Sequence, residues 1–448
     1  MRTLPFSIAA ALALAANPVS AFFRLPCSRP VTLQRADPIV NPGQLSSHAH
    51  TVMGGNGFNF TMGYDTARAS TCTTCKARED LSNYWIPNLY YRGPDGTFQD
   101  VPQSGGMLVY YLQRSDPKDP EYEKGLLAFP EGFQMLAGNP HLRSFKNTLE
   151  QRAISFACLG VMFPSCWDGK NLDSPDHKSH MAYPDRVDSG VCPKSHPKRL
   201  VTIFYEVVFE IDQFKDKWHG SSHPFVFSTG DPTGYVLHGD FLNGWDVKVL
   251  QKAVKECTDD SGVIEKCPAL TFFDDDAMNG CRVPVRVDEK TTGVLKALPG
   301  CNPVTFGPEP ATPIMGDACN ATKKISPPKW PFTDVTDTKK FSYLGCAKDA
   351  YGSRSLNMAQ KSGDKMTIES CLDYCEEKGY SLAGLEYGRE CYCGDTMEKS
   401  HLPVKGQLGK CEMPCAGNKE QVCGGPGAPS LYQKCKPSEG SCKNAQIM

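Results

Sequence analysis

The 448-residue sequence predicts a β-rich, loop-heavy first domain of sandwich or jelly-roll type with few helices, followed by a small disulfide-rich α+β module. Three observations lead there. Runs dense in β-branched and aromatic residues, such as MLVYYL at 107–112 and LVTIFYEVVFEI at 200–211, alternate with Gly, Pro, Asn and Asp, which is the chemistry of strands and turns. Helical periodicity is scarce; its best instance is WDVKVLQKAVKEC at 245–257, where Val247, Leu250 and Val254 recur on one helix face. Finally, eight of the 21 cysteines crowd between Cys346 and Cys423, a density that stabilises modules whose cores are small.

Taken in order, the chain opens on MRTLPFSIAAALALAANPVSA, with Arg2 ahead of an apolar run that closes on Val19, Ser20 and Ala21. This is the pattern of a secretory signal over residues 1–21, leaving Phe22 as the first mature residue. The run is too short to span a bilayer, and no other segment is long and apolar enough. The final KNAQIM lacks the hydrophobic tail of a lipid-anchor signal. Secretion with no membrane span is therefore expected. Every cysteine follows the predicted cleavage point, so disulfides are expected, and the odd total leaves at least one thiol over. Sequons at Asn59 and Asn320 suit the same compartment. With 48 basic and 50 acidic residues there is no basic field to attract nucleic acid.

Composition places a first domain at 22–308, a Pro-rich spacer at 309–338, the cysteine-rich module at 339–434 and a tail at 435–448. In the module, YLGC (343–346), MTIESCLDYC (366–375), AGLEYGRECYCG (383–394) and MPCAGNKEQVCGG (413–425) follow one another. Their order and spacing closely resemble the WSC domain, a fungal cell-wall carbohydrate-binding module. The resemblance implies a wall polysaccharide such as β-glucan as partner. Tyr387 and Tyr392 are candidate stacking surfaces and Asn418 a candidate hydroxyl partner, each with packing or turn formation as its alternative.

Nine of the ten histidines lie in the first domain, six of them in polar loop-like strings: SSHAHTVMGGNGF (46–58), FPSCWDGKNLDSPDHKSHMAYP (163–184), CPKSHP (192–197) and STGDPTGYVLHGDFLNGWD (228–246). Together with FRLPC (23–27), SNYWIP (82–87) and LPGCNP (298–303), these strings resemble a secreted fungal family known only as domain of unknown function nineteen-ninety-six. That family often precedes a WSC domain and implies no assigned chemistry.

The residues themselves leave three readings open. A carboxylate pair could cleave a glycosidic bond; Asp168 and Asp240 are the candidates, with His180 and His238 as tuning or catalytic partners, and Trp85, Trp167, Tyr235 and Trp245 as stacking surfaces. A histidine cluster could hold a divalent metal for a metal-dependent hydrolase. His48 and His50, two apart on a strand, share a face, and His180, His196 and His238, with Asp240, are the further candidate ligands. No HExxH spacing occurs, and Cys72 and Cys75 are expected in disulfides rather than on a metal. Phe22 at the predicted mature terminus removes the amino-terminal copper brace of oxidative polysaccharide enzymes. The third reading is a non-catalytic polysaccharide binder or wall-structural protein. A serine or cysteine nucleophile is disfavoured, because there is no GxSxG elbow and Cys166 is expected to be bridged.

Overall fold

Alternation along AFFRLPC sets the first sheet: Phe23, Leu25 and Cys27 are buried while Phe22, Arg24 and Pro26 are partly exposed. In the computed structural model, which describes residues 21–155, 159–311, 324–328, 330–349, 354–436 and 442–445, this strand is Ala21–Cys27. Apart from Ala21, the predicted leader lies outside the described residues, as does Asn320. The sheet runs Ala21–Cys27, Gln103–Gln113, Thr202–Phe209, Gly160–Met162, Ile154–Ser155, all antiparallel. A second antiparallel sheet runs Thr32–Ala36, Leu45–Gly54, Asn83–Pro87, His238–Leu242, Gln134–Gly138.

The two sheets share one apolar core. Phe23, Val109, Tyr111, Ile203 and Tyr205 of the first meet Met53, Tyr84, Ile86, Met135 and Phe241 of the second. Their polar tips are satisfied across the gap, as buried groups require: Tyr84 and Tyr111 hydroxyls are 2.7 Å apart, and Tyr205 donates to the Asp240 carbonyl at 2.8 Å. The first domain is thus the sandwich expected. Because side chains alternate, the other face of the second sheet carries a separate set: Val52, Trp85 and Leu242, packed under Phe58, Phe60, Val283 and Val287. The expected helix is Val247–Glu256, capped by Asp246, which accepts from Lys248 N at 3.0 Å and Val249 N at 3.2 Å, and burying Leu250, Ala253 and Val254.

Disulfides tie the loops down. Cys72 and Cys75 are both bridged, though not to each other: Cys27 pairs with Cys75 and Cys72 with Cys281. Cys166 pairs with Cys192 and Cys257 with Cys267, and Cys301 is also disulfide-bonded. Cys158 and Cys319 lie outside the described residues.

The C-terminal module is a five-stranded antiparallel sheet, ordered Phe341–Cys346, Ser430–Lys434, Leu382–Glu386, Glu390–Gly394, Ala359–Ser362, with the helix Ile368–Glu377 against it. Thr367 and Ser370 close the helix start with a capping box. Cys371 and Cys375, one turn apart, bridge to Cys391 and Cys393 and so fasten the helix to a strand. The tail is not loose: Cys435 bridges to Cys442, and Tyr343 N donates to Asn444 Oδ1 at 2.7 Å while Ala445 N donates to Tyr343 O at 2.8 Å.

The described parts of the Pro-rich stretch lean on both modules: Ile325 bridges to Val287, and Phe332 stacks on Tyr343 with ring centres 4.7 Å apart. The modules also touch directly. Asn56 Nδ2 and Thr71 Oγ1 donate to Gly406 O at 3.0 and 2.8 Å, Arg282 Nε donates to Gly409 O at 3.0 Å, and Glu412 pairs with Arg282 at 2.8 Å. Among the described residues the two modules are therefore in direct contact.

Candidate functional site

Two short alternating strings build the most distinctive site. His48 and His50 alternate along Leu45–Gly54, and His238 and Asp240 along His238–Leu242. Both strands pair with Asn83–Pro87 from opposite sides. His50 is paired with Pro87, and two residues on from the Asp240–Trp85 pair the register sets His238 beside Pro87 as well. The imidazoles meet above that proline, on the face of the second sheet turned away from the sandwich core.

Local structure fixes each ring. An irregularity in strand pairing between Gln34 and Ala36 accompanies the contact of the Ala36 carbonyl with His50 Nδ1, at 3.1 Å. Asp231 caps the turn before His238 by accepting from Thr233 N at 2.8 Å and Val236 N at 3.2 Å; Val236 O in turn meets His238 Nδ1 at 2.7 Å. Gly138, paired with His238, leaves no room for a side chain: an added Cβ would lie 2.4 Å from Leu237 O and 2.7 Å from His238 Cα.

The result is a buried convergence of Nε2 atoms. His48 Nε2 lies 3.2 Å from His238 Nε2, which lies 3.5 Å from His50 Nε2. Exposure is 6% for His48, 0% for His50 and 5% for His238. Burial, reinforced by the neighbouring imidazoles, holds His48 and His50 well below the usual histidine range, and burial brings His238 to about 4. Asp240 Oδ2 sits 3.9 Å from His238 Nε2 and makes no hydrogen bond. Burial, then the Asp37 carboxylate, push Asp240 well above the carboxylate range, against the pull of Lys178. A cavity of about 10 Å³ lined by Ser47, His48, Arg143 and Asn302 adjoins the cluster, space for about one water.

The other predicted site residues lie elsewhere. Asp168 is a turn cap: burial raises its pKa, but hydrogen bonds from Asn171 and Lys170 backbone N–H groups outweigh that and leave it below the usual range. His180 does not join the cluster, because its ring spans Ser174 Oγ at 2.9 Å and Gln134 O at 2.9 Å. His196, another expected ligand, is spent on Ser195 Oγ and Ser179 O. Trp85 and Trp245 cannot stack a sugar, since both are wholly buried, Trp245 donating its indole N–H to Tyr111 at 2.7 Å. Trp167 is partly exposed with its N–H on Asn171 O, and Tyr235 is partly exposed near Phe145, ring centres 6.4 Å apart. Asn59 is exposed; its Oδ1 accepts from Arg286 at 2.8 Å.

Sequence reasoning missed Asp37 and Lys178. Nothing in their local sequence sets them apart; they matter because Asp37 bears on Asp240, and Lys178 bonds the Gly138 carbonyl and Glu150.

A second candidate lies on the C-terminal module. Tyr387 caps the hairpin between Leu382–Glu386 and Glu390–Gly394, and at 52% it is among the exposed large side chains. Its φ of 51° is in the left-handed region, a conformation that costs free energy for a residue with a Cβ and clusters at functional sites. The tip is held by its neighbours: Gly388 N donates to Cys423 O at 2.9 Å, and Gly388 O accepts from Ala416 N at 2.8 Å, beside the Cys415–Cys423 disulfide. Tyr392 is instead 9% exposed, its hydroxyl donating to Glu390 at 2.8 Å and its ring 4.5 Å below the Arg354 guanidinium. Arg354 also pairs with Glu386, an ion pair absent from the sequence-level reading. Asn418 is an exposed turn residue that accepts from Glu420 N at 3.1 Å.

Comparison with known proteins finds two families along the chain. The family described as "Domain of unknown function (DUF1996)" matches residues 37–162 and 159–245, and the WSC domain matches residues 343–425. A "WSC domain-containing protein" of Arthroderma benhamiae is 40% identical over 108 residues, 23% of this chain and 12% of that protein. A second of the same description and organism is 34% identical over 28% of this chain and 17% of its own length. Human "Kremen protein 2" is 33% identical over 25% of this chain and 24% of its own. The chain thus covers only a minor part of these relatives. Many disulfides, a WSC domain and the lack, among the described residues, of a helix long and apolar enough to cross a membrane are consistent with an extracellular protein. The chain therefore carries a DUF1996 domain and, after it, a WSC domain.

Proposed function

We propose that the protein is exported to the fungal cell wall, where its WSC domain binds β-glucan-type polysaccharide and its DUF1996 domain acts on polysaccharide at the same surface. The observation that carries this reading is Tyr387: an exposed aromatic ring on a disulfide-braced tip is a ready platform for the C–H face of a sugar. Holding the larger domain on the polymer would raise its effective concentration there.

The test is co-sedimentation of the purified chain with insoluble β-glucan, chitin and mannan, with released sugar measured in the same tubes. Tyr387→Ala should lower the sedimented fraction on β-glucan about tenfold or more, the loss of one aromatic contact of about 1–3 kcal/mol, while leaving the melting temperature within a degree or two of wild type. Equal sedimentation of variant and wild type would remove the tip from the binding site. A non-catalytic binder is the second reading, favoured by the separate employment of Asp168 and Asp240; it predicts sedimentation without soluble sugar. Export also predicts glycan at Asn59: enzymatic deglycosylation of secreted protein should lower its mass, by less for Asn59→Gln.

A further inference from the structure

We infer that His48, His50 and His238 form a binding site for one divalent transition-metal ion of the zinc class, with Asp240 as its acidic partner. The inference is independent of the polysaccharide reading.

The argument starts from proton count. A carbonyl oxygen can only accept, so the contacts of His50 Nδ1 with Ala36 O and of His238 Nδ1 with Val236 O require a proton on each Nδ1. In the neutral rings this leaves a bare lone pair on both Nε2 atoms, which face each other at 3.5 Å. His48 can donate one N–H to His238 across 3.2 Å, but His50 then still points an unanswered lone pair into a buried space. Unpartnered acceptors there cost free energy, and so does Asp240 Oδ2, which has no hydrogen-bond partner although Asp240 is only 1% exposed. A single cation would answer all of these groups at once.

The dimensions fit. Nitrogen ligands about 2.0–2.1 Å from a tetrahedral ion stand about 3.3–3.4 Å from one another, and the two measured separations, 3.2 and 3.5 Å, bracket that edge. Ligand atoms of all three histidines lie within 4.8 Å of one another. Nδ1–H held by a backbone carbonyl is the usual outer support of a metal-binding imidazole, fixing its tautomer and aim. An all-imidazole face with one carboxylate nearby suits zinc, copper, iron or nickel and is a poor cage for calcium or magnesium, which prefer oxygen. The other group of metal-ligand type among the described residues, Cys371, Cys375 and Cys391, is consumed by disulfides.

The experiment uses the full mature chain with disulfides intact, stripped with chelator and titrated with Zn²⁺ alone. The expected result is uptake of one equivalent, undisturbed by millimolar Ca²⁺ or Mg²⁺, with a rise in melting temperature. His50→Gln/His238→Gln should weaken uptake at least 100-fold, Asp240→Asn about 10–100-fold as for an outer partner, and His180→Gln/His196→Gln should bind as wild type. Should the double variant fail to fold, Co²⁺ added to the stripped wild type decides: intense visible bands of four-coordinate cobalt bear the site out, and their absence overturns it. No Zn²⁺ uptake by the wild type, or undiminished uptake by a folded His50→Gln/His238→Gln variant, would equally overturn it.

Discussion

Replacing Cys72 and Cys281 together by alanine is expected to cost the first domain about 4–5 kcal/mol, the largest stability loss among single cross-links of the described residues. The bridge joins positions 209 residues apart. Cross-linking so long a loop removes conformational freedom from the unfolded chain, an entropic term that grows with the logarithm of loop length and reaches about 5 kcal/mol here. It also fills a buried site: Cys72 and Cys281 are 1% and 0% exposed among Phe58, Trp85 and Val283. Opening Cys415–Cys423, with a separation of 8, should cost only about 2–3 kcal/mol by the same relation. The measurement is denaturant unfolding followed by tryptophan fluorescence, since buried Trp85 and Trp245 report on the first domain. If Cys72→Ala/Cys281→Ala unfolded at the wild-type midpoint, the bridge would not be what holds these distant segments together.

Raising the pH from about 4 to 6 is expected to withdraw about 2–3 kcal/mol of stability through Asp80 alone. Its carboxyl is fully buried, and burial pushes its pKa up to about 6 despite hydrogen bonds from Ser82 and Tyr84. In the unfolded chain the group titrates near 3.9. Between the two values the folded state binds more protons than the unfolded one, so stability falls as pH rises through the window and levels off above it. Two pKa units correspond to about 2.7 kcal/mol. Asp37, also raised to about 6 by burial, adds a parallel slope, so the informative quantity is wild type minus Asp80→Asn. The variant gives up a directed chain in which Trp245 donates to Tyr111, and the Tyr84 hydroxyl, 2.7 Å from that of Tyr111, donates to Asp80 at 2.7 Å. That costs about 1 kcal/mol at every pH. Its stability should nevertheless lose the steeper part of the decline, and a difference curve flat between pH 4 and 6 would show that Asp80 does not titrate there.

Much of this architecture is legible in the residues. The strand at 103–113, the strand at 202–209 and the helix capped by Asp246 follow from apolar period and a capping residue. The pairing of His48 with His50, and of His238 with Asp240, on one face follows from the two-residue repeat of a strand. What spacing could not supply is which strands become neighbours. His238 meets His50 only because Asn83–Pro87 lies between their strands, a relation spread over 188 residues. His196 looked equivalent to them in a polar loop, but the loop closes on Ser179 instead. Trp85 and Trp245 illustrate the same limit: an indole beside polar turn residues suits a sugar platform as well as a core, and only tertiary packing, which buries Trp245 in the shared core and Trp85 on the other face of the second sheet, decides between them.

The contacts of Gly406, Gly409 and Glu412 with Asn56, Thr71 and Arg282 have a mechanical consequence. Tension applied at the tip of the smaller unit would pass into the sandwich through short hydrogen bonds rather than first straightening a limp cord. The bonds to Gly406 and Gly409 end on backbone carbonyls, so they resist ionic strength better than the Glu412–Arg282 pair or the Lys410–Asp276 pair, the latter with partners 41% and 64% exposed. Salt should loosen these ion pairs before the bonds that end on Gly406 and Gly409.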